Sequence, residues 1–160
     1  MRALVVTIST RAASGVYDDV SGPVLVQGLE QLGFEVAGPT VVPDGPEIES
    51  VLLGAVHDGF DVVLTTGGPG LTPNDVTPEH TARVITREAP GIAEAIRAAG
   101  IAKGVPTAAL SRGRAGLAGE TLIVNLPGSK GGVKDGMAVL SELLVHAVEQ
   151  IRGGDHPRTD

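Results

Sequence analysis

One glycine-rich segment after an apolar run carries the residue types best suited to phosphate chemistry. Residues 65–70 read TTGGPG, and the segment continues through Asp75 to Thr77. Glycines let the backbone approach an anionic ligand closely, and successive backbone N–H groups can bind its oxygens. A carboxylate such as Asp75 can hold a metal ion beside the same ligand. The segment therefore predicts an anion site, although glycines at this spacing are equally compatible with a plain tight turn.

Four more polar or glycine-rich segments follow apolar runs elsewhere in the chain. In a parallel sheet, ligands bind outside the carboxyl ends of the strands, so we expect these segments to meet at one edge. A helix that begins after residues 127–132 would also offer free N–H groups and a positive dipole to phosphate. Taken singly, Asp44 is more typical of a helix cap, Asp75 is compatible with a turn, and the arginines are typical of a solvated surface. The four segments are residues 9–11, Asp44, residues 111–112 and residues 127–132.

The elements that must position these segments are predicted from apolar runs and from the helical spacing of apolar residues. Strands that alternate with helices predict an α/β domain with a mainly parallel sheet covered by helices on both faces. We assign residues 1–152 to a single domain and residues 153–160 to a polar tail. Residues 111–119 are predicted to form a basic, glycine-rich loop. Strands are predicted at residues 3–8, 34–42, 61–66, 106–110 and 121–126, and helices at residues 22–33, 45–57, 77–88, 90–99 and 131–150.

Composition and charge exclude several functional classes. The chain has 160 residues and a net charge of −7, and aromatic residues make up 2% of it. Broad nucleic-acid binding needs a basic field and stacking rings, so it is excluded. The chain has no cysteine, which removes disulfide and thiolate chemistry and fits a cytoplasmic protein. No apolar run reaches the roughly 18 residues of a membrane span, and the four histidines show no metal-ligand spacing.

Three sequence motifs, in this order, resemble the molybdenum-cofactor biosynthesis family. That family includes the molybdopterin adenylyltransferases of the Mog type and the related MoaB type. The resemblance rests on residues 65–79 (TTGGPGLTPNDVTPE), residues 110–112 (LSR) and residues 122–129 (LIVNLPGS). It implies a three-layer α/β/α sandwich and a homo-oligomer, usually a trimer and sometimes a hexamer. It also implies a partner protein that inserts molybdate.

The resemblance implies a reaction in which molybdopterin and ATP give adenylyl-molybdopterin and pyrophosphate, with Mg²⁺. Asp75 would be the essential carboxylate and Asp44 its acidic partner, and both would hold the metal. Ser111 and Arg112 would hold the phosphate of the pterin, and residues 128–129 would belong to the loop on the nucleotide side. The implied substrate-binding residues are Thr66, Gly67, Gly68, Gly70, Ser111, Arg112, Asn125, Pro127, Gly128 and Ser129.

Three positions depart from the pattern of the family. Pro69 stands where a hydroxyl residue is usual, and it removes both that hydroxyl and a backbone donor. Thr10 replaces an aspartate, and residues 129–132 read SKGG instead of SPKG. These changes bear on catalysis and leave the fold untouched. A second hypothesis is therefore a non-catalytic protein of the MoaB type that binds molybdopterin or nucleotide during assembly, and a third is hydrolysis of a dinucleotide pyrophosphate.

Overall fold

A six-stranded sheet with helices on both faces organises residues 1–154, the part of the chain that the computed structural model describes. Residues 155–160, within the predicted polar tail, lie outside the described residues. The strands are β1 (Arg2–Ile8), β2 (Glu35–Val42), β3 (Val62–Thr66), β4 (Arg87–Glu88), β5 (Ala115–Ala118) and β6 (Thr121–Leu126). The helices are α1 (Thr10–Ala13), α2 (Gly22–Gln31), α3 (Glu47–His57), α4 (Thr77–Val84), α5 (Pro90–Ala102), α6 (Lys130–Ser141) and α7 (Leu144–Ile151), with a 3₁₀ helix at Pro106–Leu110.

The strand order explains why the polar segments meet at one edge. The sheet runs β2-β1-β3-β6-β5-β4, and β1 pairs in parallel with both β2 and β3, while β3 pairs in parallel with β6. The carboxyl ends of these four strands, at Ile8, Val42, Thr66 and Leu126, therefore lie on the same side. β5 is antiparallel to β6, and β4 is antiparallel to β5. The predicted mainly parallel α/β sheet is confirmed.

Two apolar cores, one on each face of the sheet, account for the continuous apolar runs of the central strands. In β1, Ala3 and Val5 pack with α2 and α6, whereas Leu4 and Val6 pack with α3. A strand that is buried on both faces has no polar side, so its sequence does not show the alternation of apolar and polar residues that is typical of half-buried strands. The result is the predicted three-layer α/β/α sandwich. No helix within residues 1–154 has both the length and the apolar character needed to cross a bilayer.

Four predicted elements differ from the structure, two in their type and two in their length. Residues 106–110 form a 3₁₀ helix that buries none of its residues, because Pro106 opens a turn and the following small residues pair with no strand. The predicted loop over residues 111–119 contains β5, which joins β6 through Gly119 and Glu120 as a two-residue hairpin. The short apolar sequence AGLA of β5 gives little strand signal on its own.

Two predicted helices are too long. α4 ends at Val84 because the chain beyond it joins the sheet, where the Thr86 amide donates to the Leu117 carbonyl at 2.8 Å. The predicted helix over residues 131–150 divides into α6 and α7 after Ser141, whose hydroxyl donates to the Ala138 carbonyl at 2.8 Å. Such a bond competes with the helical hydrogen-bond ladder. Val41 is 37% exposed because β2 is an edge strand.

Candidate active site

The glycine loop, residues 67–70, turns sharply where β3 ends. Gly67 and Gly68 have φ angles of +104° and +67°, which side chains rarely adopt. The turn is fixed from α4, where the buried Thr77 hydroxyl donates to the Gly67 carbonyl at 3.0 Å and the Thr77 amide donates to the Gly68 carbonyl at 3.2 Å. Thr77 is the first residue of α4, and Val76 occupies the cap position.

Arg112 supports the glycine loop and lines neither of the two cavities described below. Its Nε donates to the Gly70 carbonyl at 2.8 Å, and its Nη2 donates to the Asp75 carbonyl at 2.6 Å. Its Nη1 forms an ion pair with Glu79, and its backbone amide donates to the Pro69 carbonyl at 2.7 Å. The predicted contact between Arg112 and a phosphate stays a prediction; in this structure Nε and Nη2 donate to backbone carbonyls and Nη1 pairs with Glu79.

The ion pair between Arg112 and Glu79 predicts a pH-dependent contribution to stability. Hydrogen bonding from Arg112 holds the pKa of the Glu79 carboxyl below its ordinary value of 4.5. A lowered pKa in the folded state stabilises the fold above that ordinary value, and this stabilisation is lost as the pH falls through the lowered pKa. Both side chains are more than a third exposed, so solvent limits the contribution to less than about 1 kcal/mol.

Glu79→Gln is therefore expected to lower the melting temperature at about pH 7, and to differ less from the wild type at a pH below 4.5, where the carboxyl begins to protonate. Thermal unfolding at the two pH values measures this difference. Glu94→Gln removes an exposed carboxylate from α5 and serves as the control, with little effect at either pH. An equal loss in Glu79→Gln at both pH values would show that the charge of the carboxylate does not contribute.

Asp44 and Asp75 flank the glycine loop, and each keeps one carboxylate oxygen without a hydrogen bond among the described residues. Asp44 Oδ2 accepts from the amide and the hydroxyl of Thr10, at 3.2 and 2.8 Å. Asp75 Oδ2 accepts from the Thr72 amide at 2.9 Å. Asp44 does not cap α3, which begins at Glu47. Thr10 stands where the family pattern has an aspartate, and here its hydroxyl orients Asp44.

The first cavity, of about 490 Å³, lies between the glycine loop and the segment that follows β1. Its walls come from the ends of β1 and β3, from α1 and from the chain that leads into α2. Asp44, Asp75, Thr66 and Gly67 border it, as predicted for an edge where parallel strands end. Several of its polar or aromatic residues were not among the predicted site residues, and three of these lie next to one another in the chain. They are Tyr17, Asp18 and Asp19.

The second cavity, of about 520 Å³, lies on the other side of the glycine loop. One wall is formed by the start of α6, where the Ser129 hydroxyl oxygen accepts from the Gly132 amide at 3.1 Å. The opposite wall comes from α5, Val105 and the 3₁₀ helix. It is apolar at Ile96, Val105 and Leu110, and it also carries Arg97 and Thr107. Ser111 lines this cavity together with Ser129. The residues predicted for a pterin side and for a nucleotide side therefore share one cavity.

The two cavities share a wall, and the shared residues are Gly68, Asp75 and Gly128. Gly68 must lack a side chain here, because a Cβ would lie 2.3 Å from the Thr77 hydroxyl and 3.1 Å from Asp44 Oδ1. Ligands in the two cavities would meet beside Asp75. This arrangement suits a reaction that brings two bound molecules together.

Two predicted substrate-binding residues have mainly structural contacts. Asn125 is 2% exposed and lines neither of these cavities; its Nδ2 donates to the hydroxyls of Thr65 and Thr81, both at 3.0 Å. The buried Thr66 borders the first cavity, but its hydroxyl donates to the Pro127 carbonyl at 2.7 Å. This bond ties the end of β3, directly before the glycine loop, to the loop that enters α6. Both residues hold the walls of the site in place.

The carboxylates of the site suit a metal ion that is bound partly by the protein and partly by the substrate. Within residues 1–154, no three His, Cys, Asp or Glu side chains come together as a metal site. Asp44 and Asp75 offer two carboxylates with unused oxygens on one cavity. Mg²⁺ is commonly bound by one or two carboxylates, with substrate phosphates and water completing its shell. The residues present therefore fit Mg²⁺ that arrives with a phosphorylated substrate.

The fold and the paired cavities define a class: an α/β domain with room for two ligands at the carboxyl edge of its sheet. The family model described as a probable molybdopterin binding domain matches residues 4–146. The chain belongs to this family of Mog/MoaB-type molybdenum-cofactor biosynthesis proteins.

Relatives and solved structures are similar along most of the chain. The molybdopterin adenylyltransferase of Helicobacter pylori strain J99 is 34% identical, and the match covers 93% of this chain and 86% of that protein. The structure of the molybdopterin biosynthesis Mog protein from Mycobacterium ulcerans is 48% identical with a TM-score of 0.90, covering 95% and 97% of the two chains. MoaB from Thermus thermophilus is 42% identical with a TM-score of 0.88, covering 95% and 96%. The chain spans about half the length of the bifunctional molybdenum-cofactor biosynthesis proteins that it also matches.

Proposed function

We propose that this chain transfers the adenylyl group of ATP to molybdopterin, giving adenylyl-molybdopterin and pyrophosphate. The observation that carries the proposal is the wall shared by the two cavities, with Asp75 at the junction. A transfer between two substrates needs two adjacent sites whose reacting ends meet. The relatives named molybdopterin adenylyltransferase, at 33–40% identity, support the same activity.

In the proposed reaction, a terminal phosphate oxygen of molybdopterin attacks the α-phosphorus of ATP. A new P–O bond forms, the bond from the α-phosphorus to the oxygen bridging to the β-phosphate breaks, and pyrophosphate leaves. Little covalent chemistry is required of the protein, so positioning and charge stabilisation supply the rate. The start of α6, with Ser129 at its cap, offers free backbone N–H groups to one phosphate.

Charge is the main difficulty at this site, because both substrates are anions and the first cavity is acidic. Arg11 is the basic side chain among the residues that line the first cavity. Asp44 and Asp75 would repel phosphate on their own, and they would hold Mg²⁺. Mg²⁺, when bound, supplies charge neutralisation at the phosphoryl oxygens. Arg112 contributes indirectly, because it keeps Asp75 and the glycine loop in place.

The proposal is tested with purified protein, molybdopterin, Mg²⁺ and ATP labelled with ³²P at either the α or the γ position. We expect α-label in adenylyl-molybdopterin and γ-label in pyrophosphate. Chelation of Mg²⁺ with EDTA is expected to abolish transfer, and added Mg²⁺ is expected to restore it. Full activity in EDTA would reject the metal role of the two carboxylates.

Two other outcomes would replace the proposal. Tight molybdopterin binding without consumption of ATP would favour the non-catalytic assembly protein of the MoaB type. The position of Thr10 is the observation that keeps this alternative open, because its amide and hydroxyl occupy one oxygen of Asp44. Release of AMP from a dinucleotide pyrophosphate, in place of transfer, would favour hydrolysis.

A further inference from the structure

Tyr17 is the single tyrosine of the chain, and it is exposed at the first cavity. The chain has three aromatic residues besides its histidines. Phe34 is 4% exposed in one core, and Phe60 packs against the other core with the Arg2 guanidinium 4.4 Å from its ring centroid. Tyr17 is 59% exposed and borders the first cavity. Its ring is therefore the one aromatic face in residues 1–154 that a ligand of this cavity can contact.

Arg11 holds the Tyr17 ring beside the cavity. The Arg11 guanidinium lies 5.5 Å from the ring centroid, within the range of a cation–π contact. The backbone reinforces this contact, because the amides of Val16 and Tyr17 both donate to the Arg11 carbonyl, at 2.9 and 3.4 Å. The Ser9 hydroxyl oxygen caps the short helix α1 that carries Arg11, accepting from the Ala12 amide at 3.1 Å. The ring is thus supported without being buried.

Of the two acidic residues that follow Tyr17 on this wall, Asp19 is already hydrogen-bonded within the chain, whereas Asp18 is exposed. Asp19 Oδ2 accepts from the Thr7 hydroxyl at 2.6 Å, and its Oδ1 accepts from the amides of Ser21 and Gly22. Asp19 therefore shapes the wall and is not needed as a ligand for substrate. Among the described residues, the carboxylate oxygens of this cavity that accept no hydrogen bond are those of Asp18, next to Tyr17, and one each of Asp44 and Asp75, beside the glycine loop. The cavity accordingly has an aromatic side chain on the wall that carries Asp18 and, at the glycine loop, a pair of carboxylates suited to a metal ion.

We propose that Tyr17 stacks on the planar heteroaromatic ring of the substrate that occupies the first cavity, while its phosphate lies toward Asp44 and Asp75. The identity of that substrate rests on the proposed function. Adenine and pterin share the required chemistry, a flat π-system linked to a phosphate ester. Stacking of a ring on an aromatic side chain is worth about tenfold or more in affinity, and it requires no hydrogen-bond pattern.

A single ¹⁹F resonance tests the proposal directly, because 3-fluorotyrosine labels only position 17. The labelled full-length chain is titrated with AMP, with a pterin carrying a phosphate ester and with ribose 5-phosphate, each with Mg²⁺. We expect one of the two ring-bearing probes to shift the resonance, which identifies the substrate of this cavity, and ribose 5-phosphate to leave it in place. An equal shift with ribose 5-phosphate, or no shift with either ring-bearing probe, would overturn the stacking role.

Three variants provide an independent readout in the transfer assay. Tyr17→Leu is expected to raise the KM of the substrate in the first cavity about tenfold with little change in kcat, because stacking binds ground state and transition state alike. Tyr17→Phe keeps the ring and is expected to behave as the wild type. Val16→Ala, at an exposed neighbour outside the cavity wall, is the matched control. A rise in KM in Tyr17→Phe equal to that in Tyr17→Leu would contradict stacking.

The two proposals fail in different ways. A shifted ¹⁹F resonance without adenylyl transfer would reject the proposed reaction and leave the stacking role of Tyr17 standing. Normal transfer with a resonance that no probe moves would reject the stacking role and leave the reaction standing. The probes with and without a ring therefore test the stacking role of Tyr17, and the labelled ATP tests the proposed adenylyl transfer.

Discussion

Asp75→Asn is expected to lower the rate of adenylyl transfer by at least about a hundredfold, which is the scale of removing one preorganised electrostatic group from an active site. The carboxylate sits on the wall that the two cavities share, so its charge acts where the two phosphates meet. Asparagine is close to aspartate in size, and its side-chain oxygen can still accept from the Thr72 amide, which is 2.9 Å from Asp75 Oδ2. The substitution therefore removes charge and metal affinity while it preserves the turn.

The experiment compares initial rates at saturating ATP and molybdopterin with the melting temperature of each variant. Asp58→Asn is the matched control, because it removes the same charge from an exposed position at the end of α3. We expect the control to keep both its rate and its melting temperature. Asp75→Asn should melt within a few degrees of the wild type, which separates loss of chemistry from loss of fold. Unchanged turnover in Asp75→Asn would remove this carboxylate from the reaction.

The central strands could be predicted from the sequence because their apolar runs indicate buried strands whatever elements pack against them. β1, β3 and β6 are apolar on both faces, and such runs are buried in almost any α/β arrangement. β4 and β5 could not be predicted, because they have only two and four residues. Such short segments show no apolar periodicity that would indicate a strand. They become strands only by pairing: the Thr86 and Ala89 amides donate to carbonyls of β5, each at 2.8 Å. Tertiary contacts decide the structure of such short segments.

The loops that form the site could be predicted from the sequence, whereas the contacts that several of their side chains make could not. The rule that ligands bind at the carboxyl ends of parallel strands indicated the edge where Asp44, Asp75 and the glycine loop lie. The resemblance implies that Arg112 holds a phosphate, and this stays a prediction. Its pairing with Glu79, 33 residues away in the chain, cannot be inferred from sequence spacing. Tyr17 had a usable signal, as the single tyrosine beside Arg11 after the first strand. The Mg²⁺ requirement, the homo-oligomer, the molybdate-insertion partner and the cytoplasmic location stay predictions.

Gly67→Ala is the second substitution with a large expected effect, and it acts on the fold of the site. A Cβ at Gly67 would lie 2.1 Å from the carbonyl oxygen of Ile8, far inside any contact distance. That carbonyl belongs to the end of β1, which is fixed by its pairing with β2 and β3. The backbone also has a φ of +104°, which alanine rarely adopts. We expect the free energy of unfolding to fall by about 4 kcal/mol, at the severe end for single substitutions.

Gly59→Ala separates the two causes of this loss. Gly59 also has a positive φ, +71°, but nothing lies within 4 Å of a Cβ there. Only the backbone penalty applies at Gly59, about 1–2 kcal/mol, so the difference between the two variants measures the contact with Ile8. Denaturant unfolding gives both values. Because Gly67 also sets the path of the loop toward Asp44 and Asp75, any folded fraction of Gly67→Ala should bind substrates more weakly than Gly59→Ala. Equal destabilisation of the two variants would show that β1 yields to the added methyl group, and that the close approach of the two strand ends does not constrain the loop.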